Sequence, residues 1–368
     1  MKVSCNHKKL TEAVQTMERL VGKKESLPVL SCVLIEARKN SLILRATNLE
    51  TGVEVVIPAE VSTEGVVAVP ISIFIQTLRV ISEEKVTFSI EDNGNVSVVT
   101  PHTNTVIKVI PHDEFPTIPK GEKTGSVHEL SKQVLIDGIH SVSYAASTSM
   151  IRPELASIFI SHNGKNMIFA ATDSFRLAEK GVPISLQKEF PDVLLPVKNA
   201  LDLISILEYI DTDTIECDFD ENQLSINGGG VYFFSRIIDA TFPQYQAIIP
   251  KEFVTEATVL KDDLLTLIKK ARIFSSTSGQ ISFHVYPKQK TLSTTARNVD
   301  IGETSDSIDA ALEGEDLDIN FNINYLVECL QSIRSDSVSL QFGGSGKPLV
   351  IKGIGDQSFL YLVMPLNR

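Results

Sequence analysis

The run Leu42-Ile43-Leu44-Arg45-Ala46-Thr47-Asn48 recurs as Met167-Ile168-Phe169-Ala170-Ala171-Thr172-Asp173 and, with more changes, as Leu292-Ser293-Thr294-Thr295-Ala296-Arg297-Asn298, a step of 125 residues each time. A second marker, the strand-to-helix junction at Val69-Pro70, returns at Leu195-Pro196 and at Phe321-Asn322, a step of 126. Solenoid units run roughly 20 to 50 residues, so this period excludes a solenoid and matches a whole domain. The chain reads as one domain written three times, over residues 1–121, 122–250 and 251–368, each with its own core.

A length of 368 residues with 43% apolar content suits three such cores. The start, Met-Lys-Val-Ser-Cys-Asn-His, carries no apolar signal segment, and no apolar run approaches the ~18 residues of a membrane span. The expectation is a cytoplasmic protein with no membrane partner. Cys5, Cys32, Cys217 and Cys329 are scattered without metal-ligand spacing and read as buried apolar residues. A formal net charge of −12 argues against an open surface that grips nucleic acid by neutralising phosphates.

Each repeat opens with a strand and an amphipathic helix. The expected stripes are Leu10, Val14, Met17 and Val21; then Leu130, Val134 and Val142; then Leu264, Ile268 and Ala271. Alternating strands follow, leading to the junctions, where a second helix starts with Pro70 or Pro196 in its first turn. Its apolar positions are Phe74, Leu78 and Ile81; Ala200, Ile204 and Leu207; Leu326, Leu330 and Ile333. Further alternation closes each copy, giving two helices on one side of several antiparallel strands. The related phrases Phe115-Pro116 to Lys120 and Phe242-Pro243 to Lys251 read as linkers.

Catalytic motifs are missing. Gly343-Gly344-Ser345-Gly346-Lys347 resembles a phosphate loop, but its first glycine is absent and Pro348 replaces the Ser or Thr, so it reads as a hairpin turn. No nucleophile elbow or zinc-binding His-Glu-x-x-His occurs, and no cofactor or metal is implied. Two segments remain. Ala171-Thr172-Asp173-Ser174-Phe175-Arg176-Leu177 is either a recognition turn or, as residue pattern alone favours, a polar turn with Phe175 tucked into the local core. The final Phe359 to Arg368 stretch reads as a last strand, with Met364 and Leu366 beyond its last pairable position.

With these two segments, the Leu27-Pro28-Val29-Leu30 start of the first sheet, Phe242-Pro243 and the terminal Met364-Pro365-Leu366, the chain resembles the β subunit of bacterial DNA polymerase III, the sliding clamps, over its whole length. The resemblance implies an α+β fold of three tandem DNA-clamp domains, assembled as a head-to-tail homodimer into a six-domain ring whose twelve helices line a central hole. Such a ring is a non-enzymatic processivity factor. It encircles double-stranded DNA without sequence preference and tethers the replicative DNA polymerase, the clamp loader complex and repair proteins carrying clamp-binding motifs.

Carried over position by position, the resemblance implies a partner-peptide pocket at Leu155, Thr172, Ser174, Phe175, Arg176, Leu177, Pro243, Ile248, Pro348, Leu362, Met364, Pro365 and Leu366. An aliphatic and an aromatic anchor would fill it, and a flexible methionine suits several partners. Ser174, Phe175 and Ala247 depart from the family's usual glycine, histidine or tyrosine, and arginine. DNA-facing candidates are Lys24, Arg79, Arg152 and Lys198, with Lys269 and Lys270 behind them, while Ile73 stands where relatives often carry a basic residue. For the dimer interface the resemblance brings Ile107 of one protomer near Ile273 and Phe274 of the next. The competing readings are a three-domain peptide-binding adaptor that never encircles DNA and a hydrolase with an unrecognised site.

Overall fold

A computed structural model describes residues 1–22, 27–120, 127–185, 189–220, 222–275 and 279–366. The three anchor strands are Ser41–Thr47, Asn166–Thr172 and Thr291–Asn298, whose starts at 41, 166 and 291 keep the step of 125. The first helices of the repeats are α1 (His7–Leu20), α3 (Lys132–Val142) and α5 (Lys261–Ile273), and the second are α2 (Ile71–Arg79), α4 (Val197–Tyr209) and α6 (Ile323–Ser332). All described strand pairings are antiparallel. Three tandem repeats of mixed helix and sheet are the fold. Among the described residues no helix is long and apolar enough to cross a membrane.

The helices form where their stripes predict, with local corrections. In α1, Leu10, Val14 and Met17 are fully buried, and Asn6 caps the helix by accepting from the Lys9 N–H at 3.0 Å. The second repeat is shifted. Leu130 belongs to the strand Val127–Ser131, where it alternates inward with His128, and α3 buries Leu135, Ile139 and Val142 while Val134 is only partly covered. Pro70 and Pro196 sit just before the first helical residue, not inside the first turn; Pro70 is the N-cap. The extended conformation its ring permits ends the strand there. Ile81 falls two residues past the end of α2, half-buried.

Chain contacts divide the molecule into two compact units. Unit 1 gathers Met1–Ile136, Leu186–Pro191 and Lys198–Ile237, and unit 2 gathers Asp137–Ser185, Asp192–Val197 and Ile238–Arg368. Unit 1 holds a twelve-stranded sheet in which Thr51–Thr63, from the first repeat, pairs with Val231–Arg236, from the second. Unit 2 holds a nine-stranded sheet in which Arg176–Pro183, from the second repeat, pairs with Phe359–Val363, from the third, together with a four-stranded sheet around Gln280–Tyr286. Successive repeats are thus fused by main-chain hydrogen bonds across each junction, and each unit contains one such seam.

Phe242–Lys251 is more than a linker. Phe242 and Tyr245 are buried on the unit 2 sheet with Ala170, Leu177, Leu194, Val350 and Leu362, and Phe242 stacks on Phe159 with centroids 4.9 Å apart. The Gly343–Lys347 stretch does turn a hairpin between Ser337–Phe342 and Leu349–Gly353, closed by the Gly343 N–H donating to the Pro348 carbonyl at 3.1 Å. All four cysteines are buried and free; burial pushes the Cys32 thiol up to about 11 and Cys5 to about 12, so neither is a reactive thiolate.

Candidate functional site

The turn after the second anchor strand is held by its own side chains. Thr172 Oγ1 donates to the Arg176 carbonyl at 2.6 Å, and Asp173 Oδ1 accepts from the N–H groups of Phe175 and Arg176 at 2.9 and 3.0 Å. Ser174 between them takes φ +79°, the left-handed conformation that makes glycine the comfortable residue there. This tight loop lifts Phe175 off the sheet, leaving it 61% exposed. Phe175 is therefore not tucked into the local core, and an exposed aromatic on a rigid turn is a contact group without an internal occupation.

Below the turn, strand register sets one row of side chains. Thr172 pairs with Leu177, Leu177 with Leu362, and Leu362 with Val350, and directly paired residues share a sheet face. Leu177, Leu362 and Val350 are fully buried beneath Phe242 and Tyr245. The pairing runs one residue beyond the last strand: the Met364 N–H donates to the Phe175 carbonyl at 2.8 Å, and the Leu366 N–H to Asn320 at 2.8 Å. Met364 and Leu366 are thus hydrogen-bonded rather than past all pairing. Met364 is 37% exposed, beside Phe175, and Ile248, at the end of the Tyr245–Ile248 turn, is exposed too.

Arg176 faces the other way. Strand alternation sends it to the helix side, where it pairs with Asp173 at 2.9 Å and with Glu328, and lies over the Tyr325 ring at 4.3 Å. Burial works against its charge, but the Glu328 hydrogen bond and the surrounding negative charge outweigh it and hold the guanidinium protonated. Its side chain props the turn. Leu155 is buried, with its backbone bonded to Ser147 and Arg152. Pro243 follows buried Phe242, Pro348 leads into the strand beside Val363, and Pro365 is half-buried between Met364 and Leu366.

Residues that sequence reasoning missed are Phe159, Phe242, Tyr245 and Val350, which build the apolar bed. Tyr245 donates its phenol proton to Glu179 at 2.5 Å, and burial, then this bond, push the phenol up. A cleft of about 840 Å³ continues along the bed past Pro243, Tyr245 and Glu179. Phe159 and Leu194 sit in uninterrupted apolar runs, Ile158-Phe159-Ile160 and Val193-Leu194-Leu195, which mark a strand covered on both faces without saying what covers it.

Three of the basic candidates are tied to carboxylates. Arg79 pairs with Glu18 at 2.9 Å, Arg152 with Glu154 at 2.8 Å and Lys270 with Asp306 at 2.6 Å, while Lys198 and Lys269 are exposed and Lys24 lies outside the described residues. The interface candidates differ in exposure. Ile107 is 3% exposed and packs in its own sheet, whereas its neighbour Val106 is 49% exposed on the same edge strand, Asn104–Ile107. Ile273 is 66% exposed at the end of α5, and Phe274 stands against the start of Gly302–Asp309, the edge strand of the four-stranded sheet.

The chain matches the family models of the DNA polymerase III beta subunit: the N-terminal domain over residues 1–119, the central domain over 129–244 and the C-terminal domain over 246–367. The Beta sliding clamps of Staphylococcus epidermidis and Staphylococcus aureus are each 25% identical to it over 358 residues, covering 95% of this chain and 94% of the relative. The crystal structure of the DNA polymerase III beta subunit from Thermotoga maritima superposes with a TM-score of 0.94 at 27% identity, over 100% of this chain and 99% of that one. The sliding clamp of Bacillus subtilis has the same fold, with a TM-score of 0.93 at 21% identity over 100% and 99% of the two chains. With its three domains matched in order across nearly every residue, the chain belongs to the DNA polymerase III beta subunit family, the beta sliding clamps.

Proposed function

We propose that two copies of this chain close head to tail into a ring around double-stranded DNA and that the Phe175–Met364 surface docks the proteins the ring tethers: the replicative polymerase, the clamp loader and repair proteins. The observation that carries the docking role is an exposed aromatic and a half-exposed methionine locked together by a main-chain hydrogen bond above a buried row of leucines. A partner's aliphatic anchor would pack on the Phe242 and Tyr245 bed that covers the Leu177–Leu362 row, and its aromatic anchor would pack beside Phe175 and Met364. Methionine adapts its shape to different ligands, as a shared docking site requires.

Encirclement resolves the charge problem. A chain of net charge −12 whose candidate arginines are already paired has little ionic affinity to offer. A closed ring needs none to stay on, because dissociation requires a broken interface, while weak phosphate contacts leave it free to slide. The ring is a tether, not an enzyme. The test is to load labelled protein on nicked plasmid with a clamp loader, linearise half, and compare retention after a salt wash and gel filtration. Protein should stay on the circle and leave the linear DNA through its free ends. Equal retention on both would replace encirclement with surface binding and favour an adaptor.

A further inference from the structure

One carboxylate is placed twice by the repeat and meets its cations only once. In unit 1 the paired row Ala68, Leu34, Arg45, Glu54 crosses the sheet, and in unit 2 the row Leu194, Phe159, Ala170, Glu179 crosses it at the same positions. Glu54 accepts from Arg45 Nε at 2.7 Å and from Lys120 Nζ at 2.9 Å, and Glu36, in the next row, accepts from Arg45 Nη1 at 2.7 Å. Both cations are replaced in unit 2. Ala170 stands at the position of Arg45, and by the Phe-Pro that opens both linkers, Phe115-Pro116 and Phe242-Pro243, Ala247 falls at that of Lys120.

Glu179 has a neutral partner instead, the Tyr245 phenol, which donates to it at 2.5 Å. Its carboxylate also lines the cleft of about 840 Å³. The described residues lining that cleft include a second carboxylate, Asp192, and neither a lysine nor an arginine. Asp192 immediately precedes the strand Val193–Pro196, at the position where unit 1 has Val66 paired with Glu36, so two carboxylates are kept although one has moved a strand across. Burial first, then the Glu179 bond and the Asp192 charge, push the Tyr245 phenol up, so both carboxylates act at one place. Phe159 and Phe242, stacked 4.9 Å apart, form the aromatic wall. A flat guanidinium suits such a site, since it can bond carboxylates through its edge and stack on a ring through its face.

We propose that this cleft takes the side chain of an arginine carried by the docked partner segment, which supplies from outside the guanidinium that Arg45 supplies within unit 1. Glu179 lies four residues beyond Phe175 along the chain, about 13 Å in a strand, so an extended segment brings its arginine there about four residues from its aromatic anchor. Segments without that arginine dock on their anchors alone. The inference rests on the docking role proposed for the Phe175–Met364 surface and adds to it a ranking of partners by charge.

The experiment compares a fluorescein-labelled Leu-Phe peptide with a series carrying one arginine two to six residues to either side of the phenylalanine, each on the full chain. One register, about four residues away, should bind about tenfold more tightly, and neutral citrulline at that place should remove the gain. Glu179→Gln with Asp192→Asn should bring the ratio of the two affinities to about one. Ala247→Lys, which restores the unit 1 cation at an exposed position, should do the same. An arginine that never gains over its citrulline control, or a ratio unchanged in the folded variants, would overturn the proposal and leave the docking surface in place. Absence of all peptide binding removes the docking role and with it the partner, and methylguanidinium then tests the cleft by itself. Its saturation-transfer NMR signal should appear with the parent chain and be lost in Glu179→Gln with Asp192→Asn; equal signals, or none from the parent, remove the cleft as a guanidinium site.

Discussion

The N–H of Met364 donates to the carbonyl of Phe175 at 2.8 Å, which joins the residue after the last strand of the third repeat to the recognition turn of the second. The bond fixes two side chains of distant sequence side by side without using either of them, so both remain available to a partner. Replacing Phe175 and Met364 by alanine keeps this main-chain bond and removes only the contact surface. Affinity for a clamp-binding peptide should fall by about 2 kcal/mol or more, with unfolding unchanged. Fluorescence polarisation and thermal melts decide it; a double variant that keeps parental affinity places docking elsewhere.

Arg176 supports that turn from below. Its guanidinium is nearly buried between Asp173, Glu328 and Tyr325, so deleting it leaves carboxylates and an aromatic face without their cation. Arg176→Ala should cost about 3 kcal/mol in unit 2, the usual penalty for breaking a buried pair by removing one partner. Arg176→Lys should recover only part, because a lysine cannot stack flat and pair with two carboxylates at once. Denaturation midpoints give the loss, and hydrogen exchange at Phe175 and Arg176 should rise in both variants.

The triplication was legible because Ser41, Asn166 and Thr291 each start an anchor strand at a fixed step of 125, and local periodicity marks strands wherever one face is buried. The Phe175 turn was visible as a segment, but its exposure was not: only the left-handed Ser174 lifts the ring away, and a non-glycine residue in that conformation has no sequence signature. Ile107 and Val106 are equally apolar, and which one faces outward depends on the register with Val96 and Ser97 across the hairpin. Gly52 and Phe234 meet across two repeats, beyond the reach of any local pattern.

Asp202 on α4 predicts a pH dependence. Burial raises its carboxyl from the ordinary value of 3.8 to about 6, although Lys198 and Arg19 pull it down, and its buried Oδ2 has no hydrogen-bond partner. A raised folded-state pKa gives stability that is complete below the unfolded value and is lost as pH climbs through about 6. At pH 7.5 the charged group is therefore a liability. Asp202→Asn should stabilise unit 1 there by about 1 kcal/mol, once solvent screening of a partly exposed group is allowed for, and the gain should vanish near pH 4. Melting curves of both proteins across that range test the sign.

Assembly depends on which apolar residues are left over when a single chain has folded. Ile273 and Phe274 flank the edge strand Gly302–Asp309, and Val106 projects from the edge strand Asn104–Ile107, so two unpaired edges each carry hydrophobic cover. Edges of this kind invite strand pairing with another chain. Ile273→Ala with Phe274→Ala, or Val106→Glu alone, should yield folded monomers in sedimentation with unchanged melting of the monomer. Ile107→Ala should behave differently, because that side chain is packed against its own sheet: it should lose about 2–5 kcal/mol of folding stability. A dimer that survives the Ile273 and Phe274 changes at submicromolar concentration, or an Ile107 variant that is monomeric yet as stable as the parent, would reverse the assignment of these two neighbouring strand positions.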